Sequence, residues 1–302
     1  MTDALDHTTV LAALPAEAKA ALTARSDRAG LLHLAGHVGA IAATGTGIAL
    51  GMPYWPLLLL PHGILLTFLF TLEHEATHQT PFATPRLNES VGHACGAILF
   101  LPFTWFRYFH LAHHRFTGDP DRDPELQSGG RPDTWRTYLF YLSGWGYFSG
   151  LARVIWSNAR GALDASYIPA RAKPRIQREA RLLLTLYALA AISLLFTPIL
   201  FWIWLLPMVI GQPFLRLYLL AEHGRCPPVA NMFENTRTTF TNRLVRFIAW
   251  NMPYHAEHHA WPQVPFHHLP ALHDAVAQHL QSTAPSYRAF TRDYARSLTD
   301  TG

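Results

Sequence analysis

The sequence predicts an all-α integral membrane protein. The expected architecture is a four-helix bundle of two helical hairpins with interfacial helices and a cytoplasmic helical cap, a single domain over residues 1–302. Three observations predict it. Only 15% of the 302 residues are Asp, Glu, Lys or Arg, whereas soluble domains carry about 25%. The missing charge is concentrated, since no acidic or basic residue occurs from Ala29 to Leu72 or from Leu182 to Leu215. A crossing takes roughly 20 apolar residues, so each tract has room for two helices once the flanks are counted. Finally, many of the 18 histidines cluster near the ends of these tracts or in the polar segments beside them.

The elements follow in order. Residues 1–28 are polar, with Asp3, Asp6, Glu17, Lys19, Arg25 and Arg28, and lack the apolar core of a cleaved signal. The first crossing is expected at 31–50, closed by Gly51 and Pro53, and the second at 56–78. The third is expected at 182–197, ending at Pro198, and the fourth at 199–222, bent by Pro207 and Pro213. Two further apolar stretches lie between the hairpins. The one at 91–106 is short, and the one at 138–156 is rich in Trp, Tyr and Gly, so both are expected in or dipping into the cytoplasmic leaflet. Residues 86–181 hold thirteen Arg or Lys, and the turns at 51–55 and around 198 hold none. By the positive-inside rule, 79–181, 223–302, both termini and the ends of helices two and four are cytoplasmic. This topology accounts for the net charge of +4 better than nucleic-acid binding does. Cys95 and Cys226 allow neither a disulfide framework nor a Cys-rich metal site.

The histidines carry the chemistry. HEATH, His74 to His78, can be read as the HExxH of a zinc protease, with Glu75 as general base. It can also be one part of a larger all-histidine site. HLAHH supplies His110, His113 and His114, and HAEHH supplies His255, His258 and His259. His223 stands in LLAEHG. Positions i, i+3 and i+4 share one helix face, so each box presents its imidazoles toward one region. The total is nine ligands, all on the cytoplasmic side of the predicted topology. That is too many for a catalytic zinc, which takes three protein ligands and an open position. Two six-coordinate first-row metals with four or five imidazoles each account for all nine, and an open position on a redox metal points to iron and oxygen chemistry.

HEATH, HLAHH followed by RFTGDPDRDPEL, and NMPYHAEHH resemble the three histidine boxes of the membrane fatty acid desaturase and hydroxylase superfamily, in order and spacing from about residue 60 to 275. The resemblance implies a non-haem diiron centre that activates O₂ with electrons from a separate carrier and removes hydrogen from an unactivated C–H bond. It also implies that a lone histidine before the third box, here His223, is a further ligand. The expected substrate is a fatty acyl chain or lipid, and the expected product an alkene. Hydroxylation, oxidative decarboxylation and a small-amine substrate are alternatives, as are a zinc protease and a metal transporter. Two cysteines cannot hold an iron–sulfur cluster, so electrons must come from a partner of ferredoxin, rubredoxin or cytochrome b5 type with its reductase.

Several residues beside the boxes invite roles. Asp119, Asp121 and Asp123 follow the second box, and Asp119 or Asp123 could hold an imidazole N–H. Glu75 is expected beside the metals or at the surface. Asn251, four residues before His255, is expected to cap the third-box helix or reach a metal through water. Arg216 lies seven residues before His223 and about two turns into the bilayer; it is expected to pair with Glu73 or Glu75 or to meet a substrate headgroup. His33, His37 and His62 are expected to pack helices, with His62 roughly 18 Å from His74 along the helix.

Overall fold

The computed structural model describes residues 5–300. Ser26 accepts a hydrogen bond from the Ala29 N–H at 3.2 Å and so starts the first long helix, α1 (Asp27–Ala49). Gly51, at φ +59, turns the chain back. A 3₁₀ turn, Trp55–Leu58, then leads into α2 (Leu59–Thr67) and α3 (Leu69–Thr77), which run on as one apolar span. The stretch at 91–106 is divided between α4 (Pro85–Leu99) and α5 (Phe103–Phe116), with left-handed Phe100 and Pro102 between them. The stretch at 138–156 is broken at Gly144, φ +71, between α6 (Trp135–Leu142) and α7 (Trp145–Arg160). Neither is a continuous span. After α8 (Lys173–Ser193), a π-helical turn at Phe201–Leu205 opens α9 (Leu206–His223). The C-terminal part carries α10 (His255–Ala260), α11 (Leu269–Val276) and α12 (Tyr287–Arg296). One short parallel pair, Thr238–Thr239 with Thr283–Ala284, ties its loops together.

Among the described residues, three helical stretches are long and apolar enough to cross a membrane: Ala16–Ala49, Trp55–Thr77 and Phe201–His223. The expected crossing at 182–197 corresponds to the C-terminal half of α8. Its first nine residues include Lys173, Arg175, Arg178, Glu179 and Arg181, and the helix ends at Ser193, so its charge-free part is short. That part still exposes Leu182, Leu186, Leu189 and Ile192, as α1 and α9 expose Leu32, Val38, Val209 and Phe214. Apolar side chains turned outward in rows are what a lipid-facing surface requires.

Close helix contact fixes the bundle. A Cβ on Gly63 of α2 would stand 2.3 Å from the Pro207 carbonyl oxygen, and one on Gly211 of α9 would stand 2.2 Å from that of Gly63. Only glycine permits this approach, as small residues do wherever membrane helices meet backbone to backbone. Pro207 has no N–H to offer the Ile203 carbonyl one turn before it. His62 Nε2 lies 2.9 Å from that oxygen, and His62 Nδ1 lies 2.7 Å from Thr44 Oγ1. His62 therefore joins α1, α2 and the π-helical turn that opens α9. One apolar core runs from Leu66, Leu69 and Leu72 through Met208 and Leu215 to Trp250, Met252 and Phe266. This continuity holds the ends of α3 and α9 against the C-terminal elements.

Candidate metal centre

Four helix ends converge on one buried region. His74 lies in the last turn of α3 and His78 just beyond it, one turn apart on one face. His110, His113 and His114 line the last two turns of α5, and His223 closes α9. The short helix α10 carries His255, His258 and His259. All are buried except His78, which is partly so. Donor atoms of His74, His78, His110, His114 and His258 lie within 4.8 Å of one another, as do those of His113, His223 and His259. His255 joins the second group, its Nε2 3.3 Å from that of His223. The groups adjoin where the His114 and His259 rings stack at 4.0 Å, 8° from parallel. All nine predicted histidines are thus brought together, as five and four.

The donor chemistry fits metal ions. His74 and His258 bring their Nε2 atoms to 2.7 Å, and His78 and His110 to 2.9 Å. Burial and then neighbouring imidazoles push His110, His114, His255, His258 and His259 well below the usual imidazole range, so these rings are neutral at pH 7. Burial, Arg107 and His113 together push His78 down to about 3. His113 is the exception: burial lowers it, but the carboxylates of Glu125 and Asp123 outweigh burial and raise it. His259 Nε2 and both nitrogens of His114 are buried without a hydrogen-bond partner. Buried lone pairs this close to one another repel, and a shared cation removes the repulsion.

Three of the outer nitrogens have hydrogen-bond partners, and those of His255 and His258 face carboxylates without a hydrogen bond to them. His113 Nδ1 donates to Asp123 Oδ1 at 2.9 Å, and His223 Nδ1 faces the Asn235 carbonyl at 3.3 Å. His259 Nδ1 lies 3.2 Å from Thr117 Oγ1. His255 Nδ1 is 3.4 Å from Glu222 Oε1, and His258 Nδ1 is 3.8 Å from Glu75 Oε2. The contacts to His113, His223 and His259 turn their Nε2 atoms inward. Glu75 is fully buried rather than at the surface, and its Oε1 accepts the Phe266 N–H at 2.9 Å.

Two expectations are corrected. Asp119 touches no imidazole; its carboxylate closes the loop by accepting from the Asp121 and Arg122 N–H groups and from the Arg122 side chain. Asp123, four residues farther along the loop, takes the His113 imidazole instead. Asn251 neither caps α10, whose N-cap is Tyr254, nor approaches a metal position; at φ 57 it forms a left-handed turn and donates to the Phe266 carbonyl at 3.0 Å. Glu222, Thr117 and Asn235 are contacts that sequence reading missed. Thr117 meets His259, and Glu222 meets His255, only through the tertiary fold.

The other histidines lie apart from the two groups. His33 Nε2 is 2.7 Å from the Phe247 carbonyl, and His37 binds the Leu65 carbonyl and the Trp250 indole N–H. Arg216 makes no hydrogen bond to Glu73, whose oxygens are unpartnered, nor to Glu75; its guanidinium lies over Tyr147 and Tyr141 at 4.8 and 5.7 Å.

Comparison with known proteins places this geometry in context. A family model described as fatty acid desaturase matches residues 49–291. The dihydrorhizobitoxine desaturase of Bradyrhizobium elkanii is 30% identical over 257 residues, covering 78% of this chain and 72% of that protein. A sphingolipid delta(4)-desaturase of Drosophila melanogaster is 25% identical over 241 residues, covering 76% and 68%. A zeaxanthin 4-ketolase of Chlamydomonas reinhardtii is 26% identical over 222 residues, covering 68% and 41%.

Proposed function

Because this chain belongs to the fatty acid desaturase family, we propose that it is a membrane-bound, O₂-dependent diiron oxidoreductase that removes two hydrogens from neighbouring carbons of an acyl chain or lipid. The observation that carries this reading is the pair of adjoining, buried, all-imidazole groups. His74, His78, His110, His114 and His258 would hold one iron, and His113, His223, His255 and His259 the other. When bound, the irons supply O₂ activation and the oxidising power to break an unactivated C–H bond. Overall, the alkane segment, O₂, two electrons and two protons give the alkene and two waters.

The chain's own residues do the rest. Asp123, Thr117 and the Asn235 carbonyl hold the outer nitrogens of His113, His259 and His223 and so aim the Nε2 atoms inward. Phe70 and Phe106 pack beside His74 and His110 and keep water from that side of the site. Electrons come from a separate carrier of ferredoxin, rubredoxin or cytochrome b5 type. In this reading α8 completes a four-helix bundle, and the site and both termini face the cytoplasm. The protease reading is disfavoured because Glu75 already binds the Phe266 N–H and faces the rear of His258, not the ring of Nε2 atoms. Oxygenation is the second reading, favoured by the ketolase among the relatives.

The test is product analysis. Iron-loaded protein in lipid nanodiscs, supplied with a reduced electron donor and labelled dioxygen, is expected to yield product that lacks two hydrogens and carries no label. Product carrying one labelled oxygen establishes the oxygenase reading instead. No dioxygen consumption with any aliphatic substrate overturns both.

A further inference from the structure

The histidines divide five and four, so the second group has one donor fewer than the first. A carboxylate stands at its edge. Glu125 Oε2 lies 3.3 Å from His113 Nε2, the nitrogen turned toward the rest of that group. The same 3.3 Å separates His113 Nε2 from His223 Nε2, and His223 Nε2 from His255 Nε2. Two donors on one first-row ion, each roughly 2.1 Å from it, stand about 3 Å apart when they are adjacent. Glu125 thus extends a row of donor atoms at the spacing of neighbouring ligands.

The local fold aims this carboxylate. Pro124–Gln127 is a single helical turn with Asp123 as its cap, and Asp123 Oδ1 accepts the Glu125 N–H at 2.9 Å. The same oxygen accepts from His113 Nδ1 at 2.9 Å. One buried atom therefore holds the back of the His113 ring and the backbone of Glu125, which fixes the two residues relative to each other. From there the Glu125 side chain reaches the opposite nitrogen of the ring. It is 48% exposed, whereas His113 is 3% exposed, so it closes the group on a side that water can reach. The carboxylate is also within electrostatic reach of Glu222, which lies behind His255.

His113 Nε2 cannot hold a metal ion and donate to a carboxylate at once. When an ion takes that nitrogen, Glu125 either binds the same ion or turns out to water. We propose that it binds, as a fifth protein ligand of the second ion beside His113, His223, His255 and His259. An anionic oxygen among imidazoles is a donor set that iron accepts. It also makes the two sites unequal, one held by neutral ligands and the other carrying a ligand charge. This assignment rests on the two-ion reading of the histidine site, and metal binding measures it without turnover.

Anaerobic titration of the metal-free protein in detergent micelles with ferrous iron, against a competing chelator, tests it. The unaltered protein should take up two ions. Glu125→Gln should bind one ion as before and the other at least tenfold more weakly. Asp119→Asn, which alters a carboxylate of the same loop that touches no imidazole, should leave both affinities alone. Mössbauer spectra of the iron-57 diferrous protein give a second readout: Glu125→Gln should shift the signal of one iron and not the other. Two bound ions whose affinities and spectra Glu125→Gln leaves unchanged overturn the ligand assignment and spare the two-ion reading. Equal weakening of both ions overturns the assignment as well, since a loosened fold rather than a lost ligand produces it. Fewer than two ions on the unaltered protein would sink the two-ion reading and the assignment with it.

Discussion

At the scale of single residues, the metal centre depends on what lies behind the imidazoles. Asp123 is almost wholly buried and accepts from His113 Nδ1 while also receiving the Gly118 and Glu125 N–H groups. Replacing such a partner costs metal sites about 10–100-fold in affinity. Asp123→Ala should therefore weaken iron retention by that order in competition with a chelator, whereas Asp119→Ala, which touches no imidazole, should not. Farther from the metals, His273 bonds Glu257, and this bond, with the charge of Glu257, raises the His273 pKa against the opposing effect of burial. A raised pKa contributes stability in full below the usual imidazole value of about 6.5 and loses it as pH rises through the folded-state value. The thermal midpoint should thus fall less between neutral and mildly alkaline pH in His273→Gln than in the unaltered protein. Eight of the nine clustered histidines were legible in the sequence because i, i+3 and i+4 spacing is local, whereas His223 stands alone and was legible through the family resemblance. Glu222 behind His255 and Phe266 beside Glu75 were not, because those contacts join segments far apart in the chain.

At the scale of elements, α2 and α9 meet through glycine. A Cβ on Gly211 would stand 2.2 Å from the Gly63 carbonyl oxygen, so Gly211→Val must push apart two helices whose continuations carry His74, His78 and His223. Overpacking of this kind costs about 1–3 kcal/mol. The variant should lose both thermal stability and iron, while Gly39→Ala, with no atom within 4 Å of its new Cβ, should keep both. The helices expected at 31–50, 56–78 and 199–222 correspond to helical stretches at Asp27–Ala49, Trp55–Thr77 and Phe201–His223, and were legible from missing charge together with the breakers Gly51, Pro53 and Pro198. Composition was a poorer guide at 91–106 and 138–156. Their breaks at Phe100–Pro102 and Gly144 depend on single left-handed residues that hydropathy does not register.

At the scale of the whole molecule, apolar helices bring histidines from four distant segments to one end of the fold and bury them. The five-and-four division of those histidines carries the proposed function's central claim, that two ions would use all nine. Iron analysis and Mössbauer spectroscopy of protein purified from cells grown on iron-57 test it most directly. The account predicts close to two irons per chain with the signature of coupled ferric ions, and loss of that signature when His255, His258 and His259 are replaced together. A single zinc per chain that survives the same triple replacement would contradict it.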